Sequence, residues 1–179
     1  MKYGGKRMAE SFRTVRKNTI ILAEDIPAEQ YGFRPAPDVR TIREQLAHIA
    51  VSTRWQLDAH RERMAALDFA GFAARIAQAT ADEKALQTKD DILASLREDG
   101  EKFASFLEAA DDQLLQEDVS FPPPVQPATQ TRFEMLLGAK EHEMHHRGQL
   151  MLVQRILGIV PHLTRQRAAV RAAAAGGRP

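Results

Sequence analysis

Residues 131–150 read "TRFEMLLGAKEHEMHHRGQL", and the helical phase of this stretch decides the architecture. Thr131 followed three residues later by Glu134 is a capping-box signature that opens a helix. At about 100° per residue, Met135, Ala139, His142, His146, Leu150, Val153 and Leu157 fall on one narrow stripe. A helix from about Thr131 to Leu157 is therefore predicted, with Gly158 and Pro161 as its stop signals. Two histidines thereby take core positions. An unsatisfied buried imidazole nitrogen costs about 1–3 kcal/mol, so two such rings one turn apart ask for a shared partner, and a metal ion supplies one.

Upstream, Met8, Phe12, Val15, Leu22 and Ile26 recur at steps of three, four and seven, predicting a first amphipathic helix that ends before Pro27. The connector "YGFRPAPDVR" leads to a second capping box, Thr41 with Glu44, and a second helix to about Met64. Residues 66–87 carry a weak apolar pattern and are expected to form a long connection with one short helix. Thr88 with Asp91 then opens a third long helix carrying Ile92, Leu96, Phe103, Phe106, Leu107 and Ala110. "SFPPPVQPATQ" breaks the chain ahead of the fourth. Four long amphipathic helices joined by proline-broken connections imply an all-α fold, an antiparallel four-helix bundle. The expected organisation is one domain over residues 1–163 and a flexible Arg- and Ala-rich tail over 164–179.

Composition narrows the function classes. The 179 residues carry 25 Lys and Arg against 24 Asp and Glu, so no overall field favours nucleic acid or an anionic membrane surface. With no cysteine there is no disulfide, thiolate metal site or cysteine nucleophile, and any thiol chemistry must use a bound thiol. "MKYGGKRMAE" lacks a following apolar segment, and no run approaches a membrane span, so a cytoplasmic protein is expected.

His142 and His146, at i and i+4, place their side chains about 5–6 Å apart on one face, close enough to chelate one divalent ion. A catalytic site usually has three protein ligands and an open position. Outside the last helix, the histidines are His48, His60 and His162. His48 and His60 lie about 18 Å apart along one helix, so at most one reaches the pair. His162 follows Pro161, too far down the axis. His48, on a face with Val51, Ser52 and Trp55, is the candidate third ligand. His145 points away from the stripe and is expected at the bundle edge or in solvent.

His142, Glu143 and His146 also satisfy H-E-x-x-H, the zinc metalloprotease pattern in which the glutamate activates water. No further glycine and histidine of the metzincin type follow, and no sheet is predicted to present a peptide. Glu143 is turned about 100° from His142 and is expected to be a solvated or salt-bridging surface carboxylate.

The combination of "FRPAPDVRTIREQLAHIA" early with "TRFEMLLGAKEHEMHHRGQL" late resembles the DinB, or damage-inducible-like, superfamily, over roughly residues 5–163. The resemblance implies a four-helix bundle with a central divalent metal held by three histidines, one on the second helix and two separated by four on the last. These match His48, His142 and His146, the same three that geometry selects. The family includes metal-dependent hydrolases and low-molecular-weight-thiol transferases, and it implies a homodimer. A stripe of Phe133, Leu137, Met144 and Met151 on the last helix is the expected subunit face. Arg147 and Gln149 belong to the matching run and are read as helix-stabilising or ligand-supporting.

Three neutral imidazoles suit Zn²⁺, Ni²⁺, Co²⁺ or Fe²⁺ and fit Mg²⁺ or Ca²⁺ badly. The expected activity is transfer of a low-molecular-weight thiol to a small electrophilic substrate. The alternatives are hydrolysis by a coordinated water and a non-enzymatic, stress-related bundle with a structural metal.

Overall fold

The computed structural model describes residues 2–176. Four long helices carry the bundle: α1 (Gly5–Asp25), α2 (Ile42–Arg61), α4 (Lys89–Ala109) and α6 (Arg132–Ile156). Between them lie α3 (Phe69–Ala85), a short α5 (Asp112–Leu115) and two three-residue strands, β1 (Asp118–Ser120) and β2 (Thr129–Thr131), paired antiparallel around the proline-rich segment. A last helix, α7 (His162–Gly176), follows.

The helix starts lie where the caps predict. Thr41 with Glu44, Thr88 with Asp91 and Thr131 with Glu134 each form a complete capping box, opening α2, α4 and α6. Each box satisfies two backbone donors that the first turn leaves without an intrahelical acceptor. α6 stops where Gly158 takes φ +77°, a conformation with no Cβ penalty for glycine.

Side-chain contacts set the helix directions. Arg13 of α1 meets Glu101 and Glu108 of α4, and Lys89 at the start of α4 reaches the carbonyl of Ile26 just past α1, so these two helices run antiparallel. His48 meets His142, and His60 meets Arg132, so α2 and α6 are a second antiparallel pair. α2 and α4 run alongside each other, as Arg43–Leu86 and Arg54–Asp99 contacts place early residues with early residues. Neighbours that share a direction need a connection that travels the length of the bundle.

α3 is that connection. Its 17 residues span about 25 Å at 1.5 Å per residue. The expectation of a long connection with one short helix is corrected here: nearly the whole stretch is helical, capped by Asp68 accepting from the Gly71 N–H. None of its residues is buried, which explains the weak apolar pattern. The Arg- and Ala-rich segment begins inside a further helix. Residues 162–176 are helical, and the first turn is held by His162–Asn18 (3.2 Å) and Arg165–Asp25 (2.7 Å) contacts to α1; residues 177–179 lie outside the described residues.

The core has two lobes. Leu22, Ile26, Ile42, Leu46, Ile49, Ile92, Leu96 and Leu150 fill one end, and Phe12, Phe103, Leu107, Leu115 and Leu136 the other. Between them a buried arginine, Arg16, crosses the bundle, and Gly100 makes room for it: a Cβ there would lie 2.8 Å from Arg16 Cγ. Phe133, Leu137 and Met151 pack against these lobes, leaving Met144 as the exposed member of their stripe. Among the described residues, no helix is long and apolar enough to cross a membrane.

Candidate metal centre

The register of α2 against α6 brings His48 over the His142–His146 turn. His48 Nε2 lies 3.0 Å from His142 Nε2, and His146 Nε2 lies 3.1 Å from the same atom. One nitrogen from each ring lies within 4.8 Å of the others, the three side chains half-buried at the seam between the helices. The buried stripe of α6 runs through Leu136, Ala139, Glu143, Arg147 and Leu150, so the two histidines border the core rather than occupy its centre.

Hydrogen bonds back two of the rings, and the one behind His48 sets its tautomer. His48 Nδ1 lies 2.7 Å from Glu83 Oε1, so it donates to the carboxylate and leaves its Nε2 lone pair free. His146 Nδ1 lies 3.0 Å from Gln149 Oε1, which also accepts from Gln45 Nε2 at 2.7 Å. Gln45 Nε2 abuts His146 Nδ1 as well. Burial, followed by the charges of His146 and His48, pushes the His142 pKa down to about 4. Burial likewise lowers that of His146, against the bond from Gln149. Both rings are therefore neutral near pH 7, the form in which imidazole ligates metal.

Lone pairs facing one another at this range repel unless a cation lies among them. Tetrahedral coordination at about 2.0–2.1 Å per Zn–N bond puts ligand nitrogens about 3.3 Å apart, and the two spacings from His142, 3.0 and 3.1 Å, lie within a few tenths of an ångström of that. The donor set therefore fits a divalent transition ion. Among the described residues, no fourth His, Asp or Glu joins the group, which leaves room for an exogenous ligand.

That room is a cleft of about 460 Å³, bounded by His48, His142, Glu83, Val51, Trp55 and Ile76. α3 forms its outer wall, and the Trp55 and Phe72 rings meet edge to face at 5.9 Å at one end. The only carboxylate lining it is Glu83. A larger hollow of about 610 Å³ lies elsewhere, lined by Arg54, Asp58, Arg61 and Asp99, and holds none of the three histidines.

The other histidines are apart. His145 is exposed, 3.1 Å from Gln149 Nε2 and outside the group, as expected. His60 is buried against Arg132, and His162 packs against Asn18. Glu143 requires correction. It is not a surface carboxylate: it is 1% exposed and bound to Arg16 at 3.0 Å. It faces the core, away from the cleft, so the protease reading of H-E-x-x-H has no base to offer. Arg147 donates to the carbonyl of Val15 at 3.0 Å, stapling α6 to α1.

Glu83 and Gln45 were not singled out by sequence reasoning. Gln45 carries a signal, since it stands three residues before His48 on the same helix face and is buried. Glu83 lies on the one long helix without a buried face, 35 residues from its partner, and carries none.

The sequence profile of the DinB superfamily matches residues 11–150. No curated protein matches the chain. Two solved structures from Bacillus subtilis share the fold. The DinB-like protein YjoA has TM-score 0.63 and 22% identity, covering 85% of this chain and 92% of that one. YfiT, described as a probable metal-dependent hydrolase with an unusual four-helix bundle topology, has TM-score 0.68 and 16% identity, covering 89% and 90%.

Proposed function

The chain belongs to the DinB superfamily, and on that premise we propose that it is a metal-dependent enzyme for a small-molecule substrate, with His48, His142 and His146 holding a divalent transition ion. The observation that supports this best is the meeting of three Nε2 atoms from two helices at the wall of an open cleft. A divalent ion held by neutral imidazoles keeps its full charge, acidifies a water or thiol that reaches it and polarises an electrophile. Zn²⁺, Ni²⁺, Co²⁺ and Fe²⁺ suit these donors.

The residues around the group have separable tasks. Glu83 holds the proton of His48 on Nδ1, so that ring presents Nε2 to His142 and the cleft, while Gln45 and Gln149 fix the orientation of the His146 ring from behind. Trp55, Val51 and Ile76 give an apolar wall that binds the body of a substrate and excludes water.

Hydrolysis is the reading that asks least of the molecule, since it needs only water beyond the ion and the cleft. YfiT, similar in fold, is described in the same terms. A second reading, transfer of a low-molecular-weight thiol to a small electrophile, is favoured by one observation. The carboxylate that lines the cleft among the described residues, Glu83, is already engaged by His48 and is not free to act as a base. A thiol, with an ordinary pKa of about 8.5 that is far below that of water, ionises on coordination more readily and asks less of a neighbouring base. The zinc- or nickel-loaded chain is assayed against esters and amides without thiol, and against a halonitrobenzene or epoxide with and without glutathione. Ester or amide turnover without thiol supports hydrolysis; strict thiol dependence supports transfer. Failure to bind either ion in stoichiometric amount overturns both.

A further inference from the structure

Arg40 stands two residues ahead of α2 and lines both hollows that open beside the histidines. One is the 460 Å³ cleft with His48, His142, Glu83 and Trp55. The other, about 310 Å³, is walled by Val39, Leu152, Val153 and Ile156, with Gln45 and Gln149 on the side of the histidines. The side chain is exposed, and no carboxylate or carbonyl among the described residues takes its guanidinium. Its surroundings explain why. Glu44, the first carboxylate of α2, already accepts from Arg34 at 3.1 Å and from the Thr41 N–H at 2.8 Å. The charge of Arg40 is felt at the rings of His142 and His146, where it opposes protonation.

An unpaired guanidinium at the mouth of two apolar-walled hollows is an anchor for an anion. Its planar fork matches a carboxylate with two parallel hydrogen bonds. The ligand charge is limited to one, because the carboxylate of Glu83 lines the same cleft and repels a second negative charge. We infer that Arg40 is a substrate-binding residue that captures the carboxylate of a small molecule whose apolar body lies against Trp55. As a statement about substrate this rests on the three histidines being the reaction centre; the anion site itself does not.

Trp55 is the only tryptophan of the chain and lines the cleft, so its fluorescence reports occupancy directly. The probes are 4-phenylbutyrate and its neutral amide, titrated into the full chain in zinc-loaded and chelator-stripped forms, as wild type, Arg40→Gln and Arg40→Lys. In the stripped wild type the acid is expected to bind about tenfold more tightly than the amide, the value of a charge-assisted hydrogen bond. Arg40→Gln removes that preference, Arg40→Lys keeps part of it, and amide binding is the same in all three. Equal binding of acid and amide by the wild type, or no saturable change with the acid, overturns the assignment. A preference seen only with zinc and retained in Arg40→Gln gives the anion to the metal: it overturns the role of Arg40 and leaves the histidine site standing. An Arg40-dependent preference in a chain that binds no zinc supports the anion site and overturns the metal reading.

Discussion

Arg16 of α1 and Glu143 of α6 meet at 3.0 Å, Nε to Oε2, with side chains 5% and 1% exposed. The same guanidinium donates to the carbonyl of Leu96 on α4 at 3.0 Å and to that of Ile49 on α2 at 3.4 Å, so one side chain touches all four bundle helices. Ile49 and Glu143 adjoin His48 and His142 in sequence. The pair thereby helps fix how α2 and α6 are rotated toward each other, and with it where the ligand rings point. Removing one partner of a buried ion pair leaves an uncompensated charge and costs about 3–5 kcal/mol. Glu143→Ala is expected to lower the unfolding free energy in urea by that amount. A water-activating role for Glu143 makes the opposite forecast, lost activity at unchanged stability, and an unmoved urea midpoint would decide for it.

Each of His48→Ala, His142→Ala and His146→Ala is expected to abolish stoichiometric zinc or nickel binding while the helical far-UV signal persists. The half-buried rings contribute little to either lobe of the core, so the bundle survives their loss. His145→Ala is the internal control and keeps its metal, since that ring stands outside the group. Elemental analysis of the purified variants gives the answer directly. Full metal content in any of the first three removes that residue from the ligand set.

Glu83 is expected to affect affinity rather than stoichiometry. Its carboxylate accepts the Nδ1 proton of His48 at 2.7 Å, and loss of such a partner costs about 10- to 100-fold in metal affinity. α3 buries none of its residues, so Glu83→Ala leaves the fold intact. Competition against a chromophoric chelator measures the change. A dissociation constant within twofold of wild type would show that the bond is incidental.

What was legible in the sequence is what is local. The capping boxes at Thr41, Thr88 and Thr131 are three-residue relations, and each is realised. The His142–His146 spacing is one helical turn. His48 could be proposed as their partner because it shares a helix face with Val51, Ser52 and Trp55, distance along the axis allows only one of His48 and His60 to reach the pair, and the family resemblance points to the same ring. What was not legible depends on pairing across the chain. α3 faces the cleft and solvent, so its apolar period is weak although its backbone is helical. Glu143 read as a surface charge, and its partner Arg16, 127 residues away, was not singled out at all. Yet both interrupt stripes that are otherwise buried: Phe12, Val15, Thr19 and Leu22 on α1, Ala139 and Leu150 on α6. Opposite charges on two core-facing stripes are a signal for a buried pair, one that a reading of each helix alone does not use.

His60 gives the bundle a pH dependence separate from the candidate metal centre. It is 1% exposed at the far end of α2, with Nδ1 3.2 Å from Arg132 Nη1, and Arg132 is itself held by Glu117 at 2.8 Å. Burial first, and the Arg132 charge second, push the His60 pKa from 6.5 down to about 4. In the unfolded chain the ring regains its ordinary value, so between about pH 6.5 and 4 the unfolded state binds more protons. Stability is therefore full above pH 6.5, falls as pH drops through that window and levels off below about 4, the loss being on the order of 3 kcal/mol. His142 and His146 shift in the same direction, so the contribution of His60 is read as the difference between wild type and His60→Leu. Urea unfolding at pH 7.5, 6 and 5 is expected to give a shallower pH slope for His60→Leu, on top of a pH-independent loss from removal of the Arg132 Nη1 hydrogen bond to His60. Identical slopes in the two proteins would show that His60 stays unprotonated in neither state or in both, and that burial at the foot of α2 has no bearing on acid stability.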